Sequence, residues 1–237
     1  MDYNLEFLND CSNEQLKTLV DILVFDKDGQ KRISESLSNT KDFAECYPNN
    51  LKPLIPQMIK EFQLFGGNSI MNLLRGHGVE YREILEDVCD RLKVNYNKKL
   101  SIELIEGELL RKIAVTTIEK MSDEDIKKFD ENLDKTRILD AAMNNSGPVI
   151  MAIAAVAISQ FGIQAGRKGA LMVFGRLLAP RVAAFAVPVL NIGAALWTLV
   201  DIASPALRVT IPFTITLAFL RKQMTGNDAE TMSKLFS

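Results

Sequence analysis

The chain has 237 residues, of which 47% are hydrophobic and 24% are charged, so its composition is that of an ordinary folded protein and favours neither a disordered chain nor a multi-span transporter. Residues 1–143 hold 20 Lys and Arg against 27 Asp and Glu, whereas residues 144–237 hold 8 against 3. An acidic, polar half is therefore followed by a basic, apolar half. With a pI of about 5.6 and no recognised binding motif, nucleic acid is disfavoured as a partner.

The three cysteines and the first residues bear on the cellular compartment. Cys11, Cys46 and Cys89 lie far apart and form no C-x-x-C pair, so we expect neither a disulfide nor a metal site, and we expect no cofactor. The opening MDYNLEFLND is acidic and has no basic, apolar leader. We therefore expect a cytoplasmic protein, either peripheral to the inner membrane or conditionally inserted into it.

Helical periodicity begins near the amino terminus. Ser12 and Gln15 fit a capping box, and they precede an apolar stripe at helical spacing that comprises Leu16, Leu19, Val20, Leu23 and Val24. A pair of shorter segments follows. The segment IPQMIKEFQLF then predicts a helix that ends at Gly66 and Gly67.

Further helices are predicted up to the end of the acidic half. A stripe begins at Tyr81, Ser101 is placed to begin a helix that runs to about Met121, and Ser122 begins one more helix that lasts to Asn144. Patterns of period two are absent over this half. The sequence therefore predicts an all-α domain over residues 1–143.

The segment FDKDGQKRIS superficially resembles a calcium-binding loop. Asp26 and Asp28 fit positions 1 and 3 of such a loop, but Lys31 takes the glycine position and Leu37 takes the place of the final glutamate. We expect a turn between helices, built on Asp28 and Gly29.

Two glycine clusters and the single histidine define a candidate functional joint between helices. The first cluster precedes a short helix whose free N–H groups suit an anion, yet it lacks the lysine of a phosphate-binding loop, so a simple helix cap is the commoner use. The residues of this joint are Gly66, Gly67, Asn68, Ser69, Arg75, Gly76, His77, Gly78 and Tyr81.

His77 allows two interpretations. An imidazole between two glycines is suited to act as a base or proton switch near neutral pH, together with Arg75 and either Glu80 or Glu83. Alternatively, the glycines end one helix and start another, and His77 bonds to exposed carbonyl groups. No complete catalytic motif is present, so we expect no catalytic residues and no enzyme activity.

The stretch FGGNSIMNLLRGHGVEYREILEDVCDRLK resembles the YaaW family of uncharacterised bacterial proteins, whose members carry a similar FGG-x-S, LRGHG, tyrosine and D-V-x-x-RLK pattern. The resemblance extends to LEFLNDCSNEQL, DKDGQKRIS and RVTIPFTITLAFLR, and it is weakest over residues 144–204. The family is distantly similar to the ubiquinol-cytochrome c chaperone-like helical domain. This resemblance implies an all-α fold and a role in assembly or at a membrane.

The second half contains two long charge-free runs. Residues 147–166 and 182–200 are twenty and nineteen residues long, close to the length that spans a bilayer as a helix. The run VTIPFTITLAFL has only twelve residues, and Pro212 is expected to kink or end its helix. The candidate membrane-inserting residues are Ile150, Ile153, Val156, Phe161, Phe185, Val189, Leu196 and Trp197.

A permanent two-span hairpin conflicts with the charges between the runs. The loop RKGALMVFGRLLAPR is basic and favours the cytoplasm, which would send the acidic half across the membrane without a leader. We expect a helical hairpin within residues 144–224, buried in a soluble form and able to insert, followed by a tail over residues 225–237. The alternative is that apolar helices simply form the core of a soluble bundle.

Three functions remain open. The first is a non-enzymatic, membrane-engaging protein that inserts or forms pores by the same logic as pore-forming colicin domains, with residues 1–143 as a regulatory coat; this comparison is an analogy of architecture. Its partner is anionic lipid, and it could act as an oligomer on the membrane. The second is a chaperone-like helical partner of a membrane protein, which docks through exposed residues such as Arg75 and Tyr81. The third is an enzyme that uses His77.

Overall fold

The computed structural model describes residues 2–26, 28–66, 78–129, 134–159 and 204–225. Those residues contain three 3-10 helices, at Tyr3–Asp10, Leu37–Asn39 and Lys52–Leu54. They also contain nine α-helices: α1 (Asn13–Val24), α2 (Lys41–Cys46), α3 (Ile55–Gly66), α4 (Tyr81–Arg91), α5 (Ile102–Lys120), α6 (Asp123–Phe129), α7 (Lys135–Met143), α8 (Gly147–Ser159) and α9 (Leu207–Thr225).

Within the described ranges, extended backbone forms one isolated antiparallel bridge, between Phe25 and Lys31. This bridge closes the turn predicted for the segment that resembles a calcium loop. The carboxylate of Asp26 accepts hydrogen bonds from the backbone N–H groups of Asp28 and Gln30, both at 2.9 Å, and Gly29 has a φ of 79°. The all-α class and the Asp-Gly turn are therefore both confirmed.

Helix α9 lies at the centre of the bundle. Its residues 209–221 are all buried, and helices α1, α3, α4, α5 and α8 pack against it. A helix that is covered on every side needs apolar residues on every face, which explains why VTIPFTITLAFL shows no polar stripe. The shortest of the three apolar runs is thus the central helix of the core.

The surrounding helices bury one face each. In α1 the predicted capping box is confirmed: the hydroxyl of Ser12 accepts from the N–H of Gln15 at 3.3 Å, and the side chain of Gln15 accepts from the N–H of Ser12 at 2.8 Å. The predicted stripe of α1 is buried. Its leucines join one hydrophobic cluster that extends from Leu5 to Leu220. The described residues of both halves therefore share one core.

One predicted helix is in fact two. The hydroxyl of Ser122 accepts from the N–H of Asp125 at 3.1 Å and begins α6 as expected, but a second helix, α7, begins after Asp134. The carboxylate of Asp134 accepts from the N–H of Arg137 at 2.8 Å. An aspartate bonded in this way is an N-cap, so Asp134 begins a helix of its own and the prediction of one continuous helix to Asn144 was wrong.

Helix α8 contains the first residues of the first charge-free run. Ile150, Ile153 and Val156 are buried within the bundle, with 8%, 2% and 6% of their surfaces exposed. Among the described residues, no single helix is both long and apolar enough to cross a membrane; only α7 and α8 taken together reach that length and composition, and they are bent by 109°. Phe161, Phe185, Val189, Leu196 and Trp197 lie outside the described residues.

Helix α9 continues through Pro212. Proline has no N–H group, so the bond that this position would donate to the carbonyl of Arg208 is missing. The loss falls in the second turn of the helix, and packing against five neighbours offsets it. Of the two outcomes expected for Pro212, a kink or the end of its helix, the second is wrong, because tertiary packing outweighs one backbone hydrogen bond.

Candidate functional site at the buried end of the central helix

The most unusual chemistry among the described residues is an ion pair inside the core. Arg221 is the last buried residue of α9, with 9% of its surface exposed, and Glu106 on α5 is 2% exposed. The Nε atom of Arg221 donates to Oε2 of Glu106 at 2.8 Å. Because removal of two charges from water is costly, a pair this deeply buried needs further hydrogen bonds.

Tyr81 supplies one of those bonds. Its hydroxyl donates to Oε1 of Glu106 at 2.5 Å, so each oxygen of the carboxylate has a partner. Burial, and next the charge of Glu106, raise the pKa of Tyr81 well above its ordinary value, which keeps the hydroxyl protonated as a donor. Burial also raises the pKa of Glu106, although Arg221 and Tyr81 oppose that shift.

The segment before α1 completes the shell around Arg221. The guanidinium of Arg221 donates to the backbone carbonyl of Asn4, and the central carbon of this group lies 4.2 Å from the centre of the Phe7 ring. A guanidinium over an aromatic face is attracted by the ring electrons. Arg221 is therefore held by a carboxylate, a carbonyl group and a ring from two distant parts of the chain.

The same segment, residues 2–10, also bonds to α3 and α4; it is called the amino-terminal segment below. The Oδ2 atom of Asp2 accepts from the backbone N–H of Tyr81 at 2.7 Å and from the side chain of Gln63 at 3.2 Å. Tyr81 is the first residue of α4, where free N–H groups attract a negative charge. Asp2 thus stabilises the start of α4 from across the bundle.

Local sequence explains how these groups reach one place. Glu106 lies four residues after Ile102 and three before Leu109, so it is on the buried face of α5. Arg221 follows twelve buried residues of α9, and Tyr81 begins the buried stripe of α4. Each helix therefore carries its polar group into the core along its apolar face.

The candidate functional joint is only partly within the described residues. Gly67, Asn68, Ser69, Arg75, Gly76 and His77 lie outside them. Gly66 and Gly78 both permit close packing: an added Cβ would lie 2.4 Å from Cγ1 of Ile84 at Gly66, and 2.6 Å from the backbone carbon of Gln63 at Gly78. The chain therefore leaves α3 at Gly66 and meets it again at Gly78, and a larger side chain would clash at either position.

The structure contradicts what the sequence predicts for Tyr81. It was expected to be an exposed docking residue of the joint, but it is fully buried. Its hydroxyl donates to Glu106, and Tyr81, Glu106 and Arg221 together are called the ionic network below. Its position at the start of an apolar stripe explains the burial. Glu80 and Glu83, the carboxylates considered with His77, are exposed on α4 or just before it.

Glu106, Asp2 and Asn4 were not predicted from the sequence to belong to a site, and neither was the buried pairing of Arg221. One signal was available, since Glu106 interrupts the apolar stripe of α5. The pairing itself had no local signal, because Glu106 and Arg221 are 115 residues apart in the chain. Over the described residues, no group of three or more His, Cys, Asp or Glu side chains is arranged to hold a metal ion.

Fold and site together define an all-α bundle protein whose apolar central helix is anchored by a buried ion pair. Residues 1–33 match the family described as Domain of unknown function (DUF3944). The chain is 34% identical to a UPF0174 protein of Helicobacter pylori strain J99, over 98% of this chain and 96% of the relative. It is 33% identical to the UPF0174 protein YaaW of Escherichia coli K12, over 95% and 96%.

The chain belongs to the UPF0174 family, which includes YaaW, and the resemblance inferred from the FGGNS to RLK stretch is confirmed. No solved structure matches it.

Proposed function

We propose that this protein is a non-enzymatic, membrane-engaging protein in which amphipathic helices cover apolar helices until a bilayer replaces that cover. The observation that carries the proposal is the complete burial of residues 209–220 of α9, which have no charged side chain, inside five other helices. Lipid chains are about as apolar as the leucine side chains that pack around α9. A bilayer therefore offers this helix an environment comparable to the core.

Helix α8 supports the same proposal. Residues 147–159 carry no charge, and the described core positions are alanine, isoleucine, methionine and valine. In sequence the charge-free run continues to Gly166, and a second run covers residues 182–200. The second half thus contains much more uncharged apolar sequence than α9 alone.

The length of α9 limits how it engages a bilayer. The twelve uncharged residues 209–220 extend about 18 Å as a helix, whereas the hydrocarbon core is about 30 Å thick. Arg208 precedes the apolar run, and Arg221 and Lys222 follow it. Basic residues at both ends favour anionic headgroups, so we expect α9 to enter one leaflet while its ends stay at the lipid surface.

The test is to mix the purified protein with vesicles of phosphatidylcholine, with or without phosphatidylglycerol, at pH 7 and pH 5. Cosedimentation and release of a trapped dye are measured in the same samples. We expect binding that increases with the anionic lipid and is accompanied by dye release. A protein that neither binds nor releases dye at either pH would reject the proposal and leave the helical partner of a membrane protein as the alternative.

A charge in the second run tests insertion separately. Ala194→Arg should abolish dye release, because an arginine in the centre of a membrane segment costs about 2.5 to 3.5 kcal/mol on insertion scales. Ala194→Leu, which changes the size of the same residue without adding charge, should keep it. Equal dye release by both variants would show that this run stays outside the hydrocarbon.

A further inference from the structure

The amino-terminal segment contacts the parts of the bundle that hold α9. It bonds to α3 through Gln63, to the start of α4 through Tyr81, and to the end of α9 through Arg221. Its position therefore links the last turn of α3 and the start of α4 to the central helix.

The segment also keeps water away from Arg221. Asn4 provides the carbonyl group and Phe7 the ring that complete the surroundings of the guanidinium. If the segment left, that side of Arg221 would lose both groups and would be hydrated instead. The attraction between Arg221 and Glu106 would then weaken, because water screens charges far better than the core does.

Few interactions hold the amino-terminal segment on the bundle. It is a 3-10 helix of eight residues, a form with poorer hydrogen-bond geometry than an α-helix. Leu5 and Leu8 are buried, whereas Tyr3 is 80% exposed and Glu6 is also exposed. Two leucines, the Phe7 ring and a few polar bonds hold it in place, so we expect it to detach more easily than the α-helices of this site.

We propose that the amino-terminal segment is an autoinhibitory strap that holds α9 in the bundle and that detaches at an anionic membrane surface. When it is docked, Arg221 is occupied by Glu106, Asn4 and Phe7. When it detaches, the end of α9 is free and Arg221 is available to lipid phosphate groups, its partners by charge. This inference rests on the proposed function and names its regulation.

Cys11 reports the state of the strap. It directly follows the segment, is 1% exposed, and its sulfur lies 3.8 Å from the sulfur of Met224 on α9. Burial raises the pKa of its thiol to about 11, so it reacts slowly while the strap is docked. Cys89 in the core of α4, whose pKa burial raises to about 12, reports unfolding of the bundle. Mass spectrometry assigns alkylation to each cysteine, including Cys46.

Two variants weaken the strap, and each has a control in the same segment. Asp2→Asn weakens the bonds to Tyr81 and Gln63, and Glu6→Gln removes the same charge from an exposed position. Phe7→Ala removes the ring over Arg221, and Tyr3→Ala removes an exposed ring. Loss of one hydrogen bond to a charged group shifts an opening equilibrium by about tenfold.

We expect Asp2→Asn and Phe7→Ala to increase Cys11 alkylation in buffer about tenfold, with Cys89 unchanged, and to bind more strongly to vesicles containing phosphatidylglycerol. The two controls should match the wild type in both measurements. If the strap variants expose Cys11 but bind vesicles no better than a wild type that does bind, the inference is wrong and the proposed function stands. If the wild type and every variant ignore vesicles, both fail.

Alkylation of Cys89 would reveal that a strap variant unfolds. In that case the test is made on the wild-type protein alone. Addition of phosphatidylglycerol vesicles to the wild type should accelerate alkylation of Cys11. An unchanged rate at Cys11, with the protein bound to the vesicles, would show that the segment stays docked during binding and would overturn the inference.

Discussion

At the scale of single residues, the pairing of Glu106 with Arg221 dominates the energetics of the site. Both charges have left water, and their hydrogen bonds replace their hydration only while each partner is present. Burial alone would favour an apolar pair at these positions. Removal of Arg221 alone should therefore destabilise the protein more than removal of both charges.

Arg221→Met should lower the free energy of unfolding by about 3 to 5 kcal/mol, because it leaves the buried carboxylate of Glu106 without its opposite charge. Glu106→Gln should cost less, because burial raises the pKa of Glu106 and so favours a neutral group at this position. The double variant should be less destabilised than Arg221→Met. The measurement is urea unfolding of all four proteins. Arg111→Met is the control: its pair with Glu108 is about 30% exposed on both sides, so its loss should cost less than about 1 kcal/mol. Additive effects of the two single changes would contradict this prediction.

The pH dependence of stability follows from the raised pKa of Glu106. A raised pKa means that the folded protein holds the proton more tightly than the unfolded chain does. The contribution of Glu106 is therefore complete below its ordinary pKa of 4.5 and is lost as the pH rises through the folded value. Acidification should tighten this end of the bundle, so we expect release of α9 to depend on lipid instead of a proton.

Urea unfolding at pH 7 and pH 5 tests this sign. The difference in stability between the two pH values should favour pH 5 more in the wild type than in Glu106→Gln. All other ionisable groups are common to the two proteins, so the comparison isolates Glu106. A wild type that loses more stability at pH 5 than the variant would show that the pKa of Glu106 is lowered by its partners.

At the scale of elements, the sequence was informative where a boundary has a local chemical cause. The capping box predicted the start of α1, and the glycines at 66 and 67 predicted the end of α3. The break between α6 and α7 was missed because a capping aspartate is common on helix surfaces as well. The apolar character of α9 was clear, but only packing partners distant in sequence distinguish a central helix from a membrane segment.

Glycines at the joint between α3 and α4 should be irreplaceable for steric reasons. Gly78→Ala should destabilise the protein by about 1 to 3 kcal/mol, because the new methyl group would meet the backbone of Gln63, which has little room to move. Gly107→Ala is the matched control: nothing lies within 4 Å of its added carbon, and it is inside α5. It should stabilise the protein by about 0.5 to 1 kcal/mol. Thermal unfolding of both variants is the measurement, and equal changes in stability would contradict the prediction.

At the scale of the whole molecule, α9 connects the two halves of the chain. Helices α1, α3, α4 and α5 all come from residues 1–143, and each packs against a helix from the apolar half. The ionic network spans the same division, since Tyr81 and Glu106 lie before it and Arg221 after it. Composition indicated a division at about residue 143, whereas contacts join the described parts into one core.

A fragment of residues 1–143 should therefore lack a cooperative unfolding transition. It retains its amphipathic helices but loses the central helix on which their apolar faces are buried. Urea titration followed by circular dichroism is the measurement, and the full chain, which should show a sharp transition, is the control. A sharp transition in the 1–143 fragment would show that the acidic half is an independent domain.

The order in which the chain is synthesised gives the position of α9 a consequence for folding in the cell. The ribosome makes the helices that surround α9 well before α9 itself, since they end by residue 159 and α9 begins at Leu207. Until α9 emerges, the faces that will cover it lack the helix on which they pack in the finished bundle, and exposed apolar surfaces promote aggregation. The nascent protein should therefore depend on chaperones until α9 is complete.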